Sequence, residues 1–279
     1  MNKNLFVVCA VSFSAMAFAQ HDHTVADSVI QDQRLTLENN TVDQGYGPQA
    51  PRDIDQKSGS NQTQFNLAPD YQQMNLCNIH FHENAEHKGG DFTLYAGNGD
   101  GHGYGTGYKY NGKLSKAELT PIEVAKNVHG SLVPGDTIEV HYVYSTANVT
   151  PGPTLAACLS KATSNPQLRV EAQVFVLVND THALNFVTLT ENAEKQGYQQ
   201  ALNIPAVTPK TVEYIGSTTG PGYNEKGSPF QVTWNVRPEV LKVDINSVGQ
   251  WLTNNIYKEN HAHGVRNLVT NPKLLSPIK

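Results

Sequence analysis

Asn78-Ile79-His80-Phe81-His82-Glu83-Asn84-Ala85-Glu86-His87 is the stretch on which the reading of this chain turns. Its first half alternates polar and apolar residues with the period of a β-strand. Successive strand side chains point to opposite faces, so Asn78, His80 and His82 share one face. Two imidazoles on one face reach a single metal ion if a neighbouring strand brings a third ligand. Asp136-Thr137-Ile138-Glu139-Val140-His141-Tyr142-Val143-Tyr144 has the same alternation and β-branched neighbours, and it offers His141. Three neutral imidazoles with an open fourth position are the pattern of a catalytic zinc, whereas structural zinc sites close with four ligands and favour cysteine. A metal-bound imidazole also needs an acceptor for its other ring nitrogen. Asn78 stands two residues before His80 and Glu139 two before His141, each on the same face as the histidine it would hold. A lone strand histidine is usually a core or surface residue; three on compatible faces, two with acceptors, are poorly explained that way.

The ends and the composition bound what such a site belongs to. Lys3, the apolar residues 5–15 and the small-residue run Ala17-Phe18-Ala19 read as a secretory signal over residues 1–19. The apolar stretch is shorter than the ~20 residues that span a bilayer, and nothing after it is apolar enough to enter a membrane. A periplasmic or secreted protein is expected. Residues 20–46 are polar and read as a loosely ordered lead-in. From 47 to 279 there is no Pro/Ser linker, central charge run or repeat, so one domain is expected. The mild acidic balance, 25 acidic against 20 basic residues, argues against a nucleic-acid partner, which requires clustered Lys and Arg. Cys9 lies within the signal, leaving Cys77 and Cys158. An even count in an exported chain favours a disulfide between them, with two buried thiols as the competing reading. By strict alternation Cys77 faces away from His80 and His82, which argues against zinc ligation by it.

Strand signals dominate from residue 76: segments 76–82, 137–145, 168–178, 184–190 and 231–237 are rich in β-branched and aromatic residues between Gly, Pro, Asn and Asp clusters. Helical signals are short, at 115–118, 191–197 and 248–257. The glycine-rich run at 97–105 lacks the oxygen-ligand ladder of a calcium loop and the strand-to-helix setting of a phosphate loop. It reads as a mobile surface loop.

His80-Phe81-His82, then Glu86-His87, then Glu139-Val140-His141, then Tyr214-Ile215-Gly216-Ser217-Thr218-Thr219-Gly220-Pro221 and Val232-Thr233-Trp234 occur here in the order and spacing that resemble the alpha-class carbonic anhydrases. The long stretch between His87 and His141, with its glycine run, and the Cys77-Asn78 lead into the histidines are similar to the delta class instead. The resemblance extends over residues 45–272 through scattered motifs. It implies a mainly β, alpha-carbonic-anhydrase-like fold: a large twisted, mostly antiparallel central sheet with short peripheral helices. It also implies Zn2+, with Co2+ or Cd2+ as substitutes, and reversible hydration of carbon dioxide to bicarbonate and a proton by a metal-bound hydroxide.

Carried over by motif position, Thr219 would orient the nucleophile and pass its own proton to Glu86. His87 and Tyr214 would buttress the site, while Val143, Val232 and Trp234 would form the apolar wall for the substrate. Small anions and sulfonamides would inhibit. Two positions depart from the family pattern: Thr218 replaces a usual leucine and Gly220 a usual second threonine. No histidine occupies the position of the family's proton shuttle, and His102 and His129 are the candidates by chemistry. Two readings compete. A non-enzymatic binding protein on this scaffold typically lacks a zinc histidine, and here all three are present. A zinc esterase would be distinguished by the ratio of ester hydrolysis to carbon dioxide hydration.

Overall fold

Eleven consecutive residues, Leu168–Val178, are all buried, and the rest of the chain is arranged around them. The computed structural model describes residues 24–206 and 210–279; the signal expected at residues 1–19 lies outside them. The strands are β1 (Asn75–Glu83), β2 (Phe92–Tyr95), β3 (Tyr108–Tyr110), β4 (Val124–Asn127), β5 (Gly130–Leu132), β6 (Thr137–Ser145), β7 (Leu168–Val178), β8 (Asn192–Lys195), β9 (Tyr198–Ala201), β10 (Val212–Ser217) and β11 (Gln231–Asp244). The α-helices are α1 (Asp27–Thr41), α2 (Phe186–Leu189) and α3 (Ile245–Thr253).

The central sheet has the order β1-β6-β7-β11-β10. All its neighbours are antiparallel except β7 and β11, which run parallel. The mostly antiparallel sheet with few short helices is therefore what the backbone forms. Each face carries its own core. Ile79, Phe81, Val140, Tyr142 and Phe175 pack beneath Phe186 of α2 and Trp251 of α3. On the other face Val143, Val170, Ala172, Tyr214, Trp234 and Val236 pack together. A strand flanked on both sides and covered on both faces has no exposed positions, which accounts for β7. Helix α3 presents Ile245, Val248, Trp251 and Leu252 to the core at helical spacing, and Asp244 caps it by accepting from Asn246 N at 3.1 Å.

Several local expectations are corrected. Residues 20–46 are not a loose lead-in throughout: α1 occupies Asp27–Thr41, with Ile30 and Leu37 buried. Leu37 packs on Val269, Leu274 and Leu275, contacts more than two hundred positions away that no local pattern announces. The strand expected at 184–190 is interrupted by α2, because Asn185 accepts from Thr188 N at 3.1 Å and so caps a helical turn. The helix expected at 191–197 is the β8–β9 hairpin. Gln196 and Gly197 both take positive φ (55° and 84°), the backbone a two-residue hairpin turn demands. Residues 115–118 form a turn closed by Ser115 and Glu118 rather than a helix, and the C-terminal helix begins at Ile245, earlier than 248. The glycine run at 97–105 is pinned: Gly99 sits against Tyr104 O, Val265 N donates to Gly103 O at 2.9 Å, and Gln33 of α1 donates to Gly101 O at 3.0 Å.

The alternation argument for Cys77 also fails. The β1–β6 register shifts between Leu76 and Asn78, and this bulge puts Leu76 in the helix-covered core and Cys77 in the opposite one with Val143. There Cys77 is bonded to Cys158 across a sequence separation of 81 residues. A bond of this kind belongs to an oxidising compartment. No helix among the described residues is long and apolar enough to cross a membrane. Closing so long a loop restricts the unfolded chain. The Cys77→Ser/Cys158→Ser variant is expected to lose about 2–4 kcal/mol of stability. Urea unfolding of the disulfide-bonded wild type and of the variant measures this, and coincident midpoints would contradict it.

Candidate metal centre

Register brings the histidines together: His80 of β1 lies directly opposite His141 of β6, and His82 is opposite Glu139. One ring nitrogen from each of His80, His82 and His141 lies within 4.8 Å of the other two. The remaining nitrogens are all engaged. His80 Nδ1–H donates to Asn78 Oδ1 at 2.6 Å, His82 Nδ1–H to Gly264 O at 3.0 Å, and His141 Nε2–H to Glu139 Oε1 at 2.9 Å. Two histidines therefore present Nε2 and one presents Nδ1. His82 Nε2 is buried with no hydrogen-bond partner among the described residues. A buried, unpaired imidazole nitrogen is costly unless something else uses its lone pair. Three imidazoles with anchored outer nitrogens and converging inner ones fit zinc by number, type and surroundings.

Burial holds all three in the neutral form a metal requires. His82 is pushed down to about 3 by burial and the neighbouring His263, His80 is held well below 6.5 by burial and the other histidines, and His141 is lowered by burial despite Glu139. Glu139 goes the other way. Burial would raise its pKa, but His87 and the hydrogen bonds from His141 and His87 outweigh burial and hold the carboxyl well below its usual range. His87 donates twice to it, from Nδ1 at 2.7 Å and from its backbone N at 3.1 Å. The Tyr214 hydroxyl donates to His87 Nε2 at 2.6 Å. Behind it the buried Arg52 guanidinium lies 5.5 Å from the centre of the Tyr214 ring.

Glu86 is buried as well, and burial raises its pKa. Its Oε1 accepts from Arg266 N at 3.1 Å and lies 3.6 Å from His82 Nδ1. Thr219 is near enough to draw the carboxyl pKa downward, yet Oε2 has no hydrogen bond of ordinary geometry. The two adjacent threonines differ: Thr218 Oγ1 is paired with Ser228 Oγ at 2.6 Å, while Thr219 is the one beside Glu86. Trp234 is buried between rings, 5.0 Å from His141 and 4.9 Å from His87, with its Nε1–H given to Ser217 O at 3.0 Å. Val143 and Val232 are buried in the same cluster.

Several participants escaped the sequence reading. Gly264 O and Arg266 N come from residues some 180 positions after the groups they hold. His263 lies with its ring 5.2 Å from His80 and 5.8 Å from His82. A signal existed, since His261-Ala262-His263 repeats the His-x-His spacing of residues 80–82. Of the two shuttle candidates, His129 stacks on Tyr104 and approaches His261, while His102 makes no such ring contact among the described residues.

A family model described as delta carbonic anhydrase matches residues 71–247. No curated protein matches the chain. Among solved structures it is similar to the alpha-carbonic anhydrase of Photobacterium profundum, with 16% identity over 81% of this chain and 88% of that one and a TM-score of 0.27. It is also similar to the alpha-carbonic anhydrase of Thermovibrio ammonificans in complex with sulfanilamide, with 15% identity over 79% and 84% and a TM-score of 0.27. A third is carbonic anhydrase Cah3 of Chlamydomonas reinhardtii in complex with acetazolamide, with 16% identity over 80% and 87% and a TM-score of 0.29. At these TM-scores the structural likenesses carry no weight in the assignment, which rests on the family model over more than half of the sequence. The chain belongs to the delta carbonic anhydrase family.

Proposed function

We propose that this protein catalyses the reversible hydration of carbon dioxide to bicarbonate and a proton, in the periplasm or outside the cell. The observation that carries the reading is the convergence of three neutral imidazole nitrogens, each with its other nitrogen anchored, in a chain of this family. His80, His82 and His141 would hold zinc; Co2+ or Cd2+ also suit three imidazoles. Zinc supplies Lewis acidity sufficient to ionise water near pH ~7.

The chain's own residues do the rest. Asn78, Gly264 O and Glu139 fix the ligand rings, and His87 and Tyr214 hold Glu139 in place. The Thr219 hydroxyl would donate to the Glu86 carboxylate beside it, leaving its own lone pair to orient the attacking oxygen. Val143, Val232 and Trp234 offer the apolar surface against which carbon dioxide rests. Small anions and sulfonamides would compete for the open metal position. Ester hydrolysis would accompany hydration as a side reaction, because an activated nucleophile attacks other electrophiles too. All three histidines being present weighs against a binding protein without activity.

Metal content and the ratio of carbon dioxide hydration to ester hydrolysis, measured on one purified preparation, test the reading. One zinc per chain with hydration dominant is expected. His141→Ala should drop zinc well below one per chain and abolish hydration; full occupancy would remove His141 from the ligand set. Thr219→Ala should retain zinc and lose turnover about a hundredfold, the scale of one oriented catalytic hydrogen bond. Unchanged turnover would exclude Thr219 from the reaction.

The neutral histidines also make a prediction about the metal-free protein. Their folded pKa values lie below the ~6.5 of an unfolded chain. Below that pH the unfolded state binds the extra protons, so stability is complete above about 6.5 and falls as the pH drops. A histidine that stays neutral in the folded state through that range contributes a slope of about 1.4 kcal/mol per pH unit. Urea unfolding of metal-free protein between neutral pH and pH ~5 measures the slope, and His82→Gln should make it shallower. A flat profile would show that the three rings are not held neutral.

A further inference from the structure

Hydration releases a proton that must reach solvent, and the fold indicates where. His82 and His141 are 3% and 1% exposed, whereas His80 is only partly covered, so the centre opens on the His80 side. There the His263 ring stands 5.2 Å from that of His80. Its Nε2–H is given to Glu259 Oε2 at 2.6 Å, which fixes the ring as part of the wall. Beyond it the His261 ring lies 5.8 Å away and nearly parallel, at 6°. The His129 ring follows 6.0 Å further on and stacks on Tyr104 at 3.6 Å. These rings come from three separate segments: the loop after α3, the β4–β5 turn and the glycine run. These are distances between ring centres; a water that bridges two ring nitrogens joins them through two hydrogen bonds of ~2.8 Å each.

Resting on the hydration reading above, we propose that His261 is the proton-relay residue of this centre, taking the released proton at Nε2 and passing it to bulk water or buffer, with His129 as the outer step. The atoms allow it. His261 Nδ1–H donates to Asn260 Oδ1 at 2.6 Å, so the neutral ring keeps its Nε2 lone pair free. Protonation there gives an imidazolium, and loss of the same proton to solvent restores the ring. The groups facing it are Asn260, Glu259 and His263 from its own segment and His129 from the β4–β5 turn. Partial burial and then His263 hold its pKa below 6.5 while Glu259 opposes them, so the ring is neutral and receptive at neutral pH. His263 lines the route and need not change charge.

The test separates relay from structure. Zinc-loaded His261→Ala should keep its metal and its unfolding midpoint. It should keep kcat/KM, which reports carbon dioxide conversion, and lose kcat about a hundredfold in dilute buffer. Added imidazole should restore kcat. Independently, the His261 ring proton resonance should titrate in wild type in both the zinc-loaded and the metal-free protein, since a relay residue is not a ligand. Wild-type kcat in the variant under dilute buffer would overturn the relay while leaving the hydration reading intact, as would equal losses in kcat and kcat/KM that imidazole does not rescue. A His261 resonance that stops titrating when zinc is added would also overturn it. Absence of hydration by the zinc-loaded wild type would fail the hydration reading, and the relay with it, and so is told apart from the other outcomes.

Discussion

One buried carboxylate, Glu139, orients the rings of His87 and of His141 in the three-histidine cluster. Among the described residues it has no lysine or arginine against it; its charge is met by three N–H donors, two from His87 and one from His141. Each of the two ring donors fixes a tautomer. Because His141 gives Nε2–H to Glu139, its Nδ1 carries the lone pair that turns inward. Because His87 gives Nδ1–H, its Nε2 is the acceptor that Tyr214 requires. A neutral residue at 139 would leave two buried ring donors without a full partner, at about 1–3 kcal/mol each, and would also free His141 to present the wrong nitrogen. The same carboxylate thus supports the fold and decides the chemistry of the ligand atom.

That arrangement depends in turn on strand register. His80 faces His141 across β1 and β6, and a one-residue slip of β1 would carry His80 and His82 to the helix-covered core and leave His141 behind. The bulge between Leu76 and Asn78 resets the alternation just before the ligands begin, and it lets Cys77 join the metal-side core where Cys158 reaches it. The disulfide and the histidines therefore share a face, contrary to what unbroken alternation requires.

What was legible in the sequence was what is local. Strands β6 and β7 were readable to the residue, because alternating β-branched positions report a strand without reference to anything distant. His80, His82 and His141 were selected by the same short-range rule, and Asn78 and Glu139 followed at a spacing of two. Illegible features are those decided elsewhere. Asn185 turns an apolar β-like segment into a helical turn by capping it, and Gln196 adopts a left-handed conformation only because the hairpin around it does. Helix α1 has too few apolar residues to declare itself and is held by Asn98, Gly101 and Leu268. The acceptor for His82 is a backbone carbonyl, Gly264 O, and a backbone carbonyl carries no sequence signature.

The distance along the chain between His82 and that carbonyl bears on the order of synthesis. His80, His82 and His141 have all emerged once residue 141 is made. The Gly264 carbonyl that holds His82 and the Arg266 amide that holds Glu86 are made more than a hundred residues later. A chain that has emerged only to residue 141 therefore holds all three histidines without the contacts that aim His82 and Glu86, and long-range contacts of this kind form late. The anchored arrangement of the three rings has to wait for Gly264, and a product ending before that residue would carry all three histidines without the carbonyl that holds His82.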